Sequence, residues 1–279
     1  MITAKNYKTQ VVAYLNDVIN GKVEEFKNSD AETIELVKKL HQNLHKCNNF
    51  AIEDNGKILN AGWTQLDSNS KLPFPIISIE YYCSDKSRLN KHLTLAMQSQ
   101  NELKIYSFFT LTDNSKWKMS PISSSIITKP SKDALYKYGD LIQNNAISWM
   151  VECFEPETIE LLKALSTIDM SAVLELMEAL SCRNVYFESL EPVSDKVNEK
   201  RIKAGKIPFY ETKILVINPN GKAVDKTDKG GTHASPRQHL RRGHIRRYAT
   251  YSIWINNTVV GKAENGRVDK SYNVKEKSN

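Results

Sequence analysis

The sequence carries none of the short motifs that assign a common chemistry outright. It has no Gly-x-x-x-x-Gly-Lys-Ser/Thr loop, no Gly-x-Gly-x-x-Gly and no Gly-x-Ser-x-Gly elbow, so the commonest nucleotide-dependent and hydrolase chemistries are set aside. The four cysteines, Cys47, Cys83, Cys153 and Cys182, are scattered. No two form a Cys-x-x-Cys pair, which argues against a zinc ribbon or a thioredoxin-like centre. They are expected to be reduced and structural. With nine Pro and eleven Gly in 279 residues there is no low-complexity tract, and no internal repeat is found. No apolar run approaches the roughly 18 residues that span a bilayer. Met1 to Lys8 lacks the apolar region of a secretory leader. The expectation is a cytoplasmic protein with no membrane partner.

What is present is an uneven charge. The net value is +7. Asp195 to Asn279 holds 19 basic and 8 acidic residues, and the preceding 194 residues hold 20 basic and 24 acidic. The C-terminal part is thus suited to a polyanionic partner, and the rest is not.

Periodicity gives an α+β reading. Tyr7 to Phe26 repeats Val11, Val12, Leu15, Val18 and Ile19 on one helical face. A second helix is expected after Ser29-Asp30, with Ile34, Leu36, Val37, Leu40 and Leu44 buried and Asn48-Asn49 as its end. Residues 50–128 read as short antiparallel strands, among them Ile76 to Tyr82, Leu103 to Phe109 and Ser120 to Ile127. Helices are expected again over 131–182, starting afresh at Glu155-Pro156. The organisation expected is a helix-and-sheet region over 1–190 and a basic module over 191–279. In that module a polar hinge (Glu191 to Lys206) precedes a strand (Tyr210 to Ile217), a short basic helix and a small antiparallel sheet. The sheet would use Ser252 to Ile255, Thr258 to Val260 and Val268 to Val274.

The densest chemistry lies between Gly230 and Arg247. Five arginines (Arg237, Arg241, Arg242, Arg246, Arg247) and two histidines (His239, His244) fall within eleven residues. Gly230 and Gly231 free the incoming backbone to approach a ligand. Ser235-Pro236 reads as a helix opening, which would set Arg237 beside Arg241, Arg242 beside Arg246 and His239 beside Arg242. A guanidinium clasps phosphate oxygens through two parallel donors, so this pattern points to nucleic acid, RNA ahead of DNA. The bland alternative is a solvated charged helix. A second alternative is a metal-independent ribonuclease. There His233, His239 and His244 would move protons while Arg242 or Arg246 stabilises the phosphorane. No cofactor is implied.

Elsewhere, His41 and His45 stand four apart with Cys47 nearby. They lack the glutamate of a zincin helix and a third ligand, so they read as an exposed polar face, and no metal is expected. Tyr81, Tyr82, Tyr106, Phe108 and Phe109 read as core before they read as a base-stacking platform. So does Trp254. Glu80, an acid inside an apolar strand, is expected to point outward.

The run from Gly230 to Arg247 resembles a family of uncharacterised proteins from bacteriophages, prophages and plasmids. Asn198 to Glu211, Ile253 to Gly261 and Val268 to Val274 fit the same pattern. The likeness covers roughly the last third of the chain, and beyond it only Leu72-Pro-Phe-Pro75 and the following strand correspond loosely. It implies a mobile-element setting in a host-cell cytoplasm, with roles in takeover, defence or counter-defence. It carries over no catalytic residue. A further alternative follows, a non-enzymatic inhibitor or adaptor that binds an acidic surface of a host protein.

Overall fold

The structure is a computed structural model that describes residues 5–52, 72–83, 91–99, 102–111, 115–127, 142–146, 155–190, 193–217, 237–241, 244–255, 258–260 and 262–267. It is α+β. The chain divides into two compact units, Met1–Ser181 with Val185–Val216, and Cys182–Asn184 with Ile217–Asn279.

The first unit begins with the two expected helices, α1 (Tyr7–Ile19) and α2 (Ala31–Lys46). Val11, Val12, Leu15 and Val18 of α1 and Val37, Leu40 and Leu44 of α2 are buried. The Asp30 carboxylate caps α2 by accepting from the Thr33 N–H at 2.7 Å, so the signal read from Ser29-Asp30 is the cap itself.

Nine strands form one mixed sheet. They are β1 (Asn48–Ala51), β2 (Ile76–Tyr82), β3 (Lys91–Gln98), β4 (Glu102–Phe109), β5 (Lys118–Met119), β6 (Ile122–Ile127), β7 (Ile142–Ala146), β8 (Val185–Ser189) and β9 (Thr212–Ile217). Their order is β7-β6-β4-β3-β2-β1-β9-β8, with β5 paired to β4. From β2 to β7 the neighbours are antiparallel, as the sequence led us to expect. β1, however, runs parallel to both β2 and β9. The sheet is mixed because its middle is covered on both faces. α1 and α2 pack on one face with Leu93, Leu95 and Phe108. The long helix α3 (Pro156–Leu180) packs on the other through Met170, Val173, Leu176 and Met177, against Ile77, Ile79, Tyr81 and Ile105.

Two sequence expectations change here, and a third gains a role. Residues 142–146, read as helix, form β7 and pair with β6, because a free sheet edge offers a ladder that local propensity does not foresee. Residues 131–141 lie outside the described ones. Asn48-Asn49 lies just past the last residue of α2, Lys46, as expected of the helix end. It opens β1, where the buried Asn49 donates to Thr212 Oγ1 at 3.1 Å and accepts from Ser78 Oγ at 2.8 Å. The polar hinge contains the helix α4 (Asp195–Lys203), which buries no residue. The strand after it enters the sheet of the first unit beside β1.

Glu80 is buried, not outward. Its carboxylate accepts from the backbone N–H groups of Lys5 and Tyr7, each at 3.0 Å. Those are donors at the N-terminus of α1, where negative charge is also favoured by the helix dipole. Glu80→Ala is therefore expected to cost about 1–3 kcal/mol, read as a lower urea midpoint with an unchanged slope.

In the second unit the described strands are β10 (Arg237–Arg241), β11 (His244–Arg247), β12 (Ser252–Ile255), β13 (Thr258–Val260) and β14 (Lys262–Arg267). β10 pairs antiparallel with β13 and parallel with β14, and β11 pairs antiparallel with β12. The short basic helix expected after Ser235-Pro236 is thus replaced by strands. A cap is worth about 1 kcal/mol. Ladders onto Thr258-Val259-Val260 and Ser252-Ile253-Trp254-Ile255, both rich in β-branched residues, outweigh it. The one-turn proximity expected for Arg237 and Arg241 goes with the helix, since four residues of strand span about 13 Å. The expected strand over Val268 to Val274 lies outside the described residues.

Candidate nucleic-acid interface

The β11–β12 hairpin brings planar and cationic groups together. Its register pairs Arg247 with Ser252, and the connection closes with the Tyr248 N–H donating to the Tyr251 carbonyl at 2.7 Å. This turn lays the two tyrosine rings face to face, with centroids 4.5 Å apart and planes 18° from parallel. A guanidinium lies against each ring. Arg246 is 5.0 Å from the Tyr248 centroid, and Arg183 is 4.2 Å from that of Tyr251. Arg183 comes from the segment after α3, which joins β12 through its own N–H to the Ser252 carbonyl at 2.9 Å. The result is a row of four planar groups in the order Arg183, Tyr251, Tyr248, Arg246. Both tyrosines are half-buried, and both of these arginines are exposed. Stacking on tyrosine holds a guanidinium plane without consuming its in-plane donors, the groups that clasp phosphate oxygens.

The residues singled out in the sequence divide as follows. Arg246 and Arg247 are exposed on β11. His244 begins the same strand, and Arg237, His239 and Arg241 stand on β10. His239 and His244 therefore occupy strands of different sheets. Gly230, Gly231, His233, Ser235 and Arg242 lie outside the described residues. Sequence reasoning missed Arg183, Tyr248 and Tyr251. The tyrosines directly follow the arginine run and were in principle visible as a turn bounded by aromatics. Arg183 had no local signal, because it reaches the hairpin through a long-range pairing.

A second cluster is buried in the first unit, where α3 crosses the sheet. Asp169 accepts from Thr94 Oγ1 at 2.6 Å, from the Tyr81 hydroxyl and from Ser107 Oγ. His92 Nδ1 lies 3.6 Å from the same carboxylate. The sheet register explains the convergence. Tyr81 is paired with His92, and Thr94 with Ser107, so two cross-strand pairs present four polar groups beneath one helix position. The Tyr81 and His92 rings are stacked with centroids 4.9 Å apart. Burial alone would push the Asp169 carboxyl up. His92, through hydrogen bond and charge, with Ser107 and Thr94 behind it, reverses that and holds it below the ordinary carboxylate range. Burial, then the Asp169 charge, pushes the Tyr81 phenol well up, which keeps it a donor. Asp169 and His92 are each 1% exposed, so this cluster fastens a helix to three strands.

Of the aromatic residues weighed as a stacking platform, Tyr81, Phe108 and Phe109 are buried in the core as expected, Tyr106 packs against the cluster that holds Phe108, and Tyr82 is half-buried. Cys47, Cys83 and Cys182 are buried and stand outside any disulfide. Among the described residues no helix is long and apolar enough to cross a membrane. No family model, no curated protein and no solved structure matches the chain.

Proposed function

We propose that the chain is a mobile-element protein, acting in the host-cell cytoplasm, that binds single-stranded nucleic acid, RNA in preference to DNA, through its basic C-terminal unit. The observation that carries this reading is the row Arg183–Tyr251–Tyr248–Arg246 beside exposed Arg247. Unpaired bases stack on guanidinium planes such as those that end the row, and arginine donors meet the phosphates. The basic balance of the C-terminal part draws a polyanion to that unit. The phage and plasmid resemblance supplies the setting. His239 and His244, on strands of different sheets, give the ribonuclease alternative no added support.

The test is the salt dependence of binding to a labelled single-stranded RNA. Each arginine contact to a phosphate should contribute about −0.7 to the slope of log K against log salt. The double variant Arg246→Ala/Arg247→Ala is expected to flatten the slope by about 1.4. Absence of any mobility shift at low salt removes the proposal. Capture of a nuclease-insensitive host protein in its place would favour the inhibitor alternative.

A further inference from the structure

We propose that His41 and His45 form a two-imidazole chelating site for zinc or a similar borderline divalent transition-metal ion, with Tyr210 as its positioning group. The site is separate from the basic unit and independent of the nucleic-acid reading.

The two histidines lie one turn apart on α2, His41 half-buried and His45 exposed. Their Nε2 atoms face each other at 3.3 Å. An ion bound tetrahedrally at zinc–nitrogen distances near 2.0–2.1 Å sets its two nitrogens about 3.3 Å apart. The ring planes are 77° apart with centroids at 4.6 Å.

The other nitrogen of His45 is also engaged. Its Nδ1 lies 2.6 Å from the Tyr210 hydroxyl, and the two rings meet edge to face with centroids 5.8 Å apart. With Nδ1–H donating to the phenol oxygen, the lone pair is placed on Nε2, the tautomer a metal needs. Burial lowers the pKa of each imidazole, helped by His45 at His41 and by Lys8 at His45. The Lys8 ammonium is buried, lies 4.2 Å from the Tyr210 ring centroid and donates to the Cys47 carbonyl at 2.7 Å. Among the described residues no third His, Cys, Asp or Glu joins the pair. Two tetrahedral positions are thus left for water or for donors from a partner. Because Tyr210 leads into β9, a bound ion would tie the end of α2 to that segment.

The experiment is a zinc titration of the full chain against a chromophoric chelator at neutral pH, with histidine ring resonances followed in parallel. One equivalent should bind at this site and shift both ring signals. His41→Ala and His45→Ala should each weaken that site by more than tenfold, and Tyr210→Phe by about tenfold. Lowering the pH should release the ion as the imidazoles protonate. Circular dichroism confirms that the variants are folded, which the exposed position of His45 favours. Zinc binding that is absent, or unaltered by both alanine variants because the ion sits elsewhere, overturns the site. Unchanged affinity in Tyr210→Phe overturns the positioning role.

Discussion

Asp169→Ala is expected to lower the stability of the first unit by about 3–5 kcal/mol, the range for removing one member of a buried charged network. The side chain accepts from three hydroxyls on three strands and faces His92. Removing it leaves a void beneath α3 and takes the acceptor from Tyr81, Thr94 and Ser107, all buried. Asp169→Asn should cost less, because the amide fills the volume and hydroxyls can rotate to accept from it. Its NH2 still faces donors, so it will not equal the parent. Chemical unfolding followed by near-ultraviolet dichroism measures both, with tyrosine signals reporting on the first unit. A loss below about 1 kcal/mol for the alanine variant would show that the network contributes no more than a surface pair.

The pH dependence has a definite sign. The Asp169 carboxyl titrates lower in the folded chain than when unfolded. Its stabilisation is therefore complete above the unfolded value of about 3.9 and is lost as pH falls through the folded one. Tyr81 acts at the opposite end. Its phenol is raised by burial and then by the Asp169 charge, so above about pH 10 the unfolded chain ionises first and stability falls. The stability gap between the parent and Asp169→Ala should accordingly narrow in acid, and the parent should lose stability in alkali.

Much of the first unit was legible because its signals are local. The stripe of Val11, Val12, Leu15 and Val18, the cap at Asp30 and the alternation in Ile76 to Tyr82 each specify an element without reference to the rest of the chain. What escaped depends on distant partners. β9 takes its place beside β1 from far along the sequence, β7 fills an edge, and the strands of the basic unit form only because Thr258 to Val260 and Ser252 to Ile255 are there to pair with. The polar core left a trace that was read only in part. Glu80 was seen as an acid in an apolar strand. Asp169 sits on the stripe Leu162, Leu165, Val173, Leu176, where an acid at a core position signals a buried partner set. The same trace runs through His41 and His45. Their spacing was visible, but Tyr210, the residue that fixes one ring, lies 165 positions away.

Tyr251→Ala is expected to weaken single-stranded RNA binding more than any single arginine change in the hairpin. The reason is its position in the row. Tyr251 contacts Tyr248 on one side and Arg183 on the other, so its removal breaks the row and releases the guanidinium plane on which a base would stack. Loss of one base stack costs about 1–3 kcal/mol, or roughly 5- to 150-fold in affinity. Arg183→Ala should remove a phosphate contact and flatten the salt slope by about 0.7. Tyr251→Phe keeps the ring and should bind nearly as the parent does. Tyr251→Ala should weaken binding at every salt concentration, because stacking energy carries no counterion release, and lower the slope only by the share of Arg183. The two variants thus separate the planar from the ionic part of the interface. If Tyr251→Ala and Tyr248→Ala bind RNA as the parent does while the arginine variants fail, the rings serve only to brace the guanidinium groups. The surface would then be a plain phosphate-binding patch, open to duplex and single strand alike.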